Sequence, residues 1–192
     1  MGTRDRIVTA TNELFRAKGY QGTSLADVSA AANAPTGSLY HFFPEGKASL
    51  AGAVIRESAV AYQALFELIA DGSRGPVDAV GNFFDGAADN LTETDFIEIC
   101  PIGGVAREMA NADESIRLAT ADAFAAWVGA LAERFSVVGV SEPHATELAS
   151  TVIATLEGAF VLARSHRDAT PVRAAGRQMR RLVQIHLADG QR

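Results

Sequence analysis

The residues best suited to chemistry lie in one short stretch, Pro35-Thr36-Gly37-Ser38-Leu39-Tyr40-His41-Phe42-Phe43. Thr36, Ser38, Tyr40 and His41 can each make hydrogen bonds, Gly37 leaves the backbone bare, and Leu39, Phe42 and Phe43 remain to anchor the segment. Small hydrogen-bonding groups on one short helix suit the base edges and phosphates of a DNA groove. The rest of the chain offers no rival chemistry. His41, His144, His166 and His186 fall in four separate segments without HExxH or any other ligand spacing, and no P-loop, GxGxxG turn or GxSxG elbow occurs. Cys100 is the sole cysteine, so an intrachain disulfide is impossible and one chain cannot build a cysteine-based metal site. It reads as a small core hydrophobe, with a redox sensor as the alternative. No enzymatic activity, cofactor or metal is expected.

A helix that presents such groups must be held by others. The segment Leu25-Ala26-Asp27-Val28-Ser29-Ala30-Ala31-Ala32 precedes it, and Asn33-Ala34-Pro35 leaves room only for a tight turn, which is the layout of a helix-turn-helix. Ser24 is expected to cap the first of these helices with Asp27 at its third position, and Pro35 to occupy the first turn of the second, where its missing N–H costs nothing. Thr3 to Lys18 carries Ile7, Ala10, Leu14 and Phe15 at helical spacing and ends on Lys18-Gly19. Lys47 to Ala70 has almost no breaker and predicts a connecting helix of about 35 Å. After Gly72-Ser73-Arg74-Gly75-Pro76, helices are predicted over Val77 to Leu91, Asp113 to Phe135, Ala145 to His166 and Val172 to Leu187. Thr92 to Gly104 reads as a loop leading into a short helix. Nothing alternates over strand length and nothing repeats, so the fold class is all-α with about nine helices.

At 192 residues and 48% hydrophobic, the chain can bury a real core. No uninterrupted run of about 18 apolar residues appears, and the amphipathic, charged start is unlike a signal peptide, so a soluble cytoplasmic protein with no membrane partner is expected. The net charge of −6 is divided unevenly. Residues 1–50 hold Arg4, Arg6, Arg16, Lys18 and Lys47 against Asp5, Glu13, Asp27 and Glu45, a balance of +1 that leaves −7 for the remainder. The acidic part is thereby kept away from any phosphate backbone.

Gly19-Tyr20, Gly22-Thr23-Ser24-Leu25, Val28-Ser29, Ala32, Gly37-Ser38-Leu39-Tyr40, Phe43 and Lys47 match, in order and nearly in spacing, the N-terminal signature of the TetR family of bacterial transcriptional repressors. The resemblance covers roughly the first quarter of the chain. Two details depart from the common pattern: Phe42 stands where His or Tyr is usual, and Pro44-Glu45-Gly46 puts Lys47 one residue further from Phe43. The Phe-Pro-Glu-Gly-Lys spelling and Cys100-Pro101-Ile102-Gly103-Gly104 resemble the LmrA/YxaF-like subgroup.

That resemblance implies a division into a DNA-binding domain over 1–50, with three helices, and a larger helical ligand-binding and dimerisation domain over 51–192. By position, Thr36, Gly37 and Ser38 would face base edges, while Ser24, Tyr40, His41 and Lys47 would hold phosphates of double-stranded operator DNA. The last two helices would form a four-helix interface of a homodimer, through Thr151, Thr155, Gly158, Met179, Leu182 and Val183, where small residues permit close approach. The middle helices would enclose a small lipophilic inducer, for which Phe66, Phe84, Phe96, Cys100, Phe124, Trp127 and Phe160 are the candidate lining. The reading is a ligand-responsive repressor released from a palindromic operator. Its alternatives are a regulator sensing oxidation at Cys100, an all-helical enzyme, and a ligand carrier or scaffold that has kept a helix-turn-helix.

Overall fold

The computed structural model describes residues 1–97 and 100–189. Within them the chain forms α1 (Thr3–Lys18), α2 (Leu25–Ala31), α3 (Thr36–Phe42), α4 (Lys47–Asp71), α5 (Pro76–Glu93), α6 (Pro101–Met109), α7 (Glu114–Val137), α8 (Glu142–His166) and α9 (Thr170–Asp189), and no strand among the described residues. The all-α expectation is met. Periodicity located every long helix, because one apolar stripe at 3.6-residue spacing must be buried for such a helix to persist.

Packing groups the residues into two compact units, Met1–Val60 with Glu98–Phe124, and Ala61–Ile97 with Ala125–Arg192. This differs from a division at residue 50, because α6 and the first half of α7 pack with the N-terminal helices. In the first unit α1 lies against α2, α3 and α6. Ile7, Leu39, Leu50, Ile102 and Ile116 are fully buried there, each contributing roughly 2 kcal/mol of apolar burial.

In the second unit α9 packs on both α5 and α8. The α5–α9 crossing is close because Gly176 lies against Phe84, where an added Cβ would sit 2.6 Å from the Phe84 Cβ. Around it Arg173 pairs with Asp89 at 2.6 Å and Arg180 reaches Asn82 at 3.3 Å, its guanidinium lying over Gly81. Helix α8 carries charges at Glu147, Glu157 and Arg164, which interrupt any purely apolar run. Averaged over 18 residues, however, it is long and apolar enough to cross a membrane, with mean hydropathy 1.3. Only 33% of that window is buried within the chain. The sequence expectation counted uninterrupted runs and so passed over this helix.

Two boundaries move for local reasons. Pro35 is the residue before α3, with φ −57° and ψ 146°, so its carbonyl receives the Ser38 N–H at 2.9 Å while Thr36 takes the first helical position. At α6, Pro101 opens the helix and the Cys100 Sγ accepts the Gly103 N–H at 3.4 Å, so the Gly103-Gly104 pair lies inside the helix instead of in the loop before it. Part of the expected loop, residues 98 and 99, lies outside the described residues.

Candidate DNA-binding interface

Ser24 begins α2 as expected. Its hydroxyl accepts the Asp27 N–H at 3.1 Å and its own N–H donates to Asp27 Oδ2 at 3.0 Å, so two orphan donors are satisfied reciprocally. The Ser24 hydroxyl proton goes to the same carboxylate at 2.8 Å. These bonds, the Ser24 backbone first, hold the Asp27 carboxyl below its ordinary pKa. The turn after α2 closes through Asn33 in the left-handed region at φ 46°, a conformation asparagine tolerates better than most residues, and the Ala34 N–H returns to Ser29 O at 3.0 Å. Arg6 of α1 donates to Ala32 O at 3.3 Å and ties the end of α2 to its neighbour.

Held in this way, α3 presents a polar face. Thr36, Gly37, Tyr40 and His41 are exposed and Ser38 is half-buried, while Leu39 and Phe43, four residues apart, are buried as anchors. Phe42 corrects the expectation. It is 39% exposed, with its ring edge-on to His41 at 5.0 Å, because the Leu39–Phe43 register turns those two residues inward and leaves the position between them at the rim. A Cβ at Gly37 would meet nothing within 4 Å, so the fold itself does not require glycine there.

Gly46, at φ 69°, closes the turn into α4, which starts at Lys47. The lysine ammonium lies 4.2 Å from the centre of the Tyr20 ring. Burial lowers its pKa, and the charge of Glu108 acts in the opposite direction. Tyr20 is itself buried, 5.5 Å from Phe15 between ring centres. Beside it, Glu108 of α6 accepts the Tyr20 N–H at 3.1 Å and the Gln21 N–H at 2.7 Å. The sequence reading missed Glu108. Only the glycine of Gly19-Tyr20 hinted at it, since a side chain there would clash with the Glu108 carboxylate.

A cleft of about 500 Å³ lies in the second unit, lined among others by Phe66, Val80, Leu131, Phe135, Glu67 and Arg134, and Phe66 is the candidate that lines it. Phe66 also stands edge-on to Phe83 at 5.4 Å. Phe84 is a core residue, fully buried against Gly176. Trp127 is half-buried and stands edge-on to Tyr62 at 5.9 Å, Phe160 is half-buried on α8, and Phe96 sits in a left-handed turn at φ 60°. Cys100 and Phe124 belong to the first unit, where Cys100 is buried as the cap of α6.

Of the candidate subunit-interface residues, Thr151 and Gly158 are exposed and Thr155 and Leu182 half-buried. Met179 and Val183 are corrected to the core of the chain, with 8% and no exposure. They continue the α9 stripe of Val172 and Gly176, which faces α5 and not the surface. Exposed apolar side chains on the same two helices are instead Val161, Leu162 and Ile185, which sequence reasoning did not single out.

Comparison with known proteins identifies this arrangement. Residues 7–54 match the model of bacterial regulatory proteins of the tetR family, and residues 76–178 match that of the transcriptional regulator LmrA/YxaF-like C-terminal domain. The chain is 33% identical to the HTH-type transcriptional regulator Rv0196 of Mycobacterium tuberculosis, over 100% of this chain and 99% of that one. It is 30% identical to the HTH-type regulator YxaF of Bacillus subtilis, over 94% and 95%. Among solved structures, a TetR transcriptional regulator from Legionella pneumophila superposes with a TM-score of 0.82 at 25% identity, covering 93% of this chain and 96% of that one. The TetR family regulator CifR, solved with double-strand operator DNA, superposes with a TM-score of 0.77 at 21% identity, covering 93% and 95%. The chain, with its capped α2, tight turn and exposed α3, therefore belongs to the TetR family, in its LmrA/YxaF-like group, and is a DNA-binding transcriptional regulator and not an enzyme.

Proposed function

We propose that the protein is a cytoplasmic, homodimeric repressor that binds a palindromic operator and is released by a small lipophilic inducer. The observation that carries the DNA contacts is the exposed polar face of α3 with an open Gly37. In this reading Thr36, Gly37 and Ser38 face base edges, and Tyr40, His41, Ser24 and Lys47 hold phosphates. The Ser24 proton would pass from Asp27 to a phosphate oxygen without disturbing the cap, because the hydroxyl oxygen still accepts the Asp27 N–H. Residues 1–50 carry this task and 51–192 the pairing and ligand tasks, with α4 running continuously from one to the other.

One short recognition helix reads few base pairs, so a second copy is needed for useful discrimination. The exposed stripe of Thr151, Gly158, Val161, Leu162 and Ile185 on α8 and α9 supports pairing there. The cleft beside Phe66 supports an inducer of modest size with apolar surface. Cys100 supports a packing role over oxidation, being buried and engaged as a helix cap.

The test is selection of duplexes from a random library by the full chain, followed by binding across a salt series. A palindromic consensus, bound with a log–log salt slope that falls by about one unit in Lys47→Ala, is expected. Recovery of no sequence preference would sink the base-edge assignment, and an unchanged slope the phosphate assignment of Lys47.

A further inference from the structure

We propose that Glu108 is a positioning residue for operator binding: its carboxylate holds the α1–α2 turn and, through the Tyr20 ring, sets the place of Lys47 at the head of α4. The inference rests on the assignment of Lys47 to a phosphate.

The backbone N–H groups of Tyr20 and Gln21 lie just past the end of α1, where no helical carbonyl serves them. A single carboxylate from α6 accepts both, at 3.1 and 2.7 Å, in charge-assisted hydrogen bonds stronger than neutral ones. Gly19 is suited to this contact twice over. Its φ of 75° favours glycine, and a Cβ there would clash with the Glu108 Oε1. A second tie runs from Gln21 Nε2 to the Met109 Sδ at 3.2 Å.

The turn so fixed carries Tyr20, whose ring is wedged against Phe15 and provides the surface on which the Lys47 ammonium rests, 4.2 Å from its centre. Glu108, Tyr20 and Lys47 come from three segments and all lie in the first compact unit. The carboxylate also opposes the effect of burial on Lys47 and so favours the charged form that a phosphate requires.

Neither close substitute can do the same. Glutamine has one acceptor oxygen and would turn an NH₂ group toward the second backbone N–H. Aspartate is one methylene shorter and cannot reach both amides from the same backbone position. Removing a negative charge beside a DNA-binding face would by itself strengthen binding to a polyanion, so weaker binding on loss of Glu108 reports position and not charge.

The experiment is a double-mutant cycle with the full chain and a duplex selected by the wild type, read by fluorescence anisotropy, with thermal unfolding recorded for every variant. Glu108→Gln and Glu108→Asp are expected to weaken binding by about 10-fold, and either one combined with Lys47→Ala to bind no more weakly than Lys47→Ala alone. Losses that multiply would overturn the proposal. So would wild-type affinity in a folded Glu108 variant while Lys47→Ala is weakened. Should Glu108→Gln fail to fold, the same cycle with Glu108→Asp decides. Wild-type affinity in Lys47→Ala would instead remove the phosphate assignment, and this proposal with it.

Discussion

Gly176 of α9 and Phe84 of α5 meet so closely that a Cβ on the glycine would lie 2.6 Å from the Phe84 Cβ. Real Cβ atoms do not approach that far, so any side chain at 176 must part the two helices. The other face of the same principle is Gly158 of α8, where a Cβ would meet nothing within 4 Å.

These two glycines give the first prediction. Gly176→Val is expected to destabilise the chain by about 2 kcal/mol or more, since overpacking typically costs about 1–3 kcal/mol and valine gains little helix propensity. In the single chain, at protein concentrations low enough to keep copies apart, Gly158→Ala should be neutral or stabilising by up to about 1 kcal/mol, as alanine replaces glycine in a helix interior. Urea unfolding of both variants decides it, and equal stabilities would show that the α5–α9 crossing is looser than described.

The same comparison distinguishes a glycine needed by the fold from one needed by a partner. Gly37 is open in the free chain and sits on the exposed face of α3. Gly37→Ala should therefore leave the melting temperature unchanged or raise it, while weakening operator binding by about 10-fold as the added methyl group holds the backbone off the duplex. A variant that binds with full affinity would show that the backbone does not approach the DNA at this point.

How much of this was legible beforehand follows from the distance over which each feature is determined. The long helices, the Ser24–Asp27 cap and the tight turn at Asn33 are written in neighbouring residues, and the structure has them within a few residues of where the sequence puts them. Phe42 was misread because it carries an anchor's side chain, and only the Leu39–Phe43 register shows that it points to the rim. Met179 and Val183 look like a subunit face on a helical wheel, yet Gly176 turns their side of α9 onto α5. The Glu108 clamp joins residues 87 and 88 positions apart, a spacing that no local pattern encodes.

Subunit pairing yields the third prediction. Arginine fits at Gly158 in a single chain, because the position is exposed and open. If α8 and α9 pair with those of a second copy, Gly158→Arg would place an unpartnered charge at a close helix crossing, at a cost of about 3 kcal/mol or more. Sedimentation is expected to show a monomer with wild-type helical content. A dimer of undiminished affinity would move the interface to another face.

The last prediction concerns release from DNA. Helix α4 is uninterrupted from Lys47, assigned to a phosphate, to Asp71 in the second unit, and its residues Phe66 and Glu67 line the cleft. An inducer in that cleft can displace α4 only if it binds the operator-incompetent conformation more tightly than the competent one. Two recognition helices must sit about 34–36 Å apart to enter successive major grooves, so a modest change in that separation is enough to lose the operator. Linkage then requires operator DNA to weaken inducer binding by the same factor, typically about 5- to 150-fold. Trp127 is the sole tryptophan and stands edge-on to Tyr62 in the second unit, which makes its fluorescence the natural probe. A lipophilic compound that quenches Trp127 and loses affinity in Phe66→Ala should bind several-fold more weakly when saturating operator is present. Equal affinity with and without operator would falsify this route of induction and leave DNA binding intact.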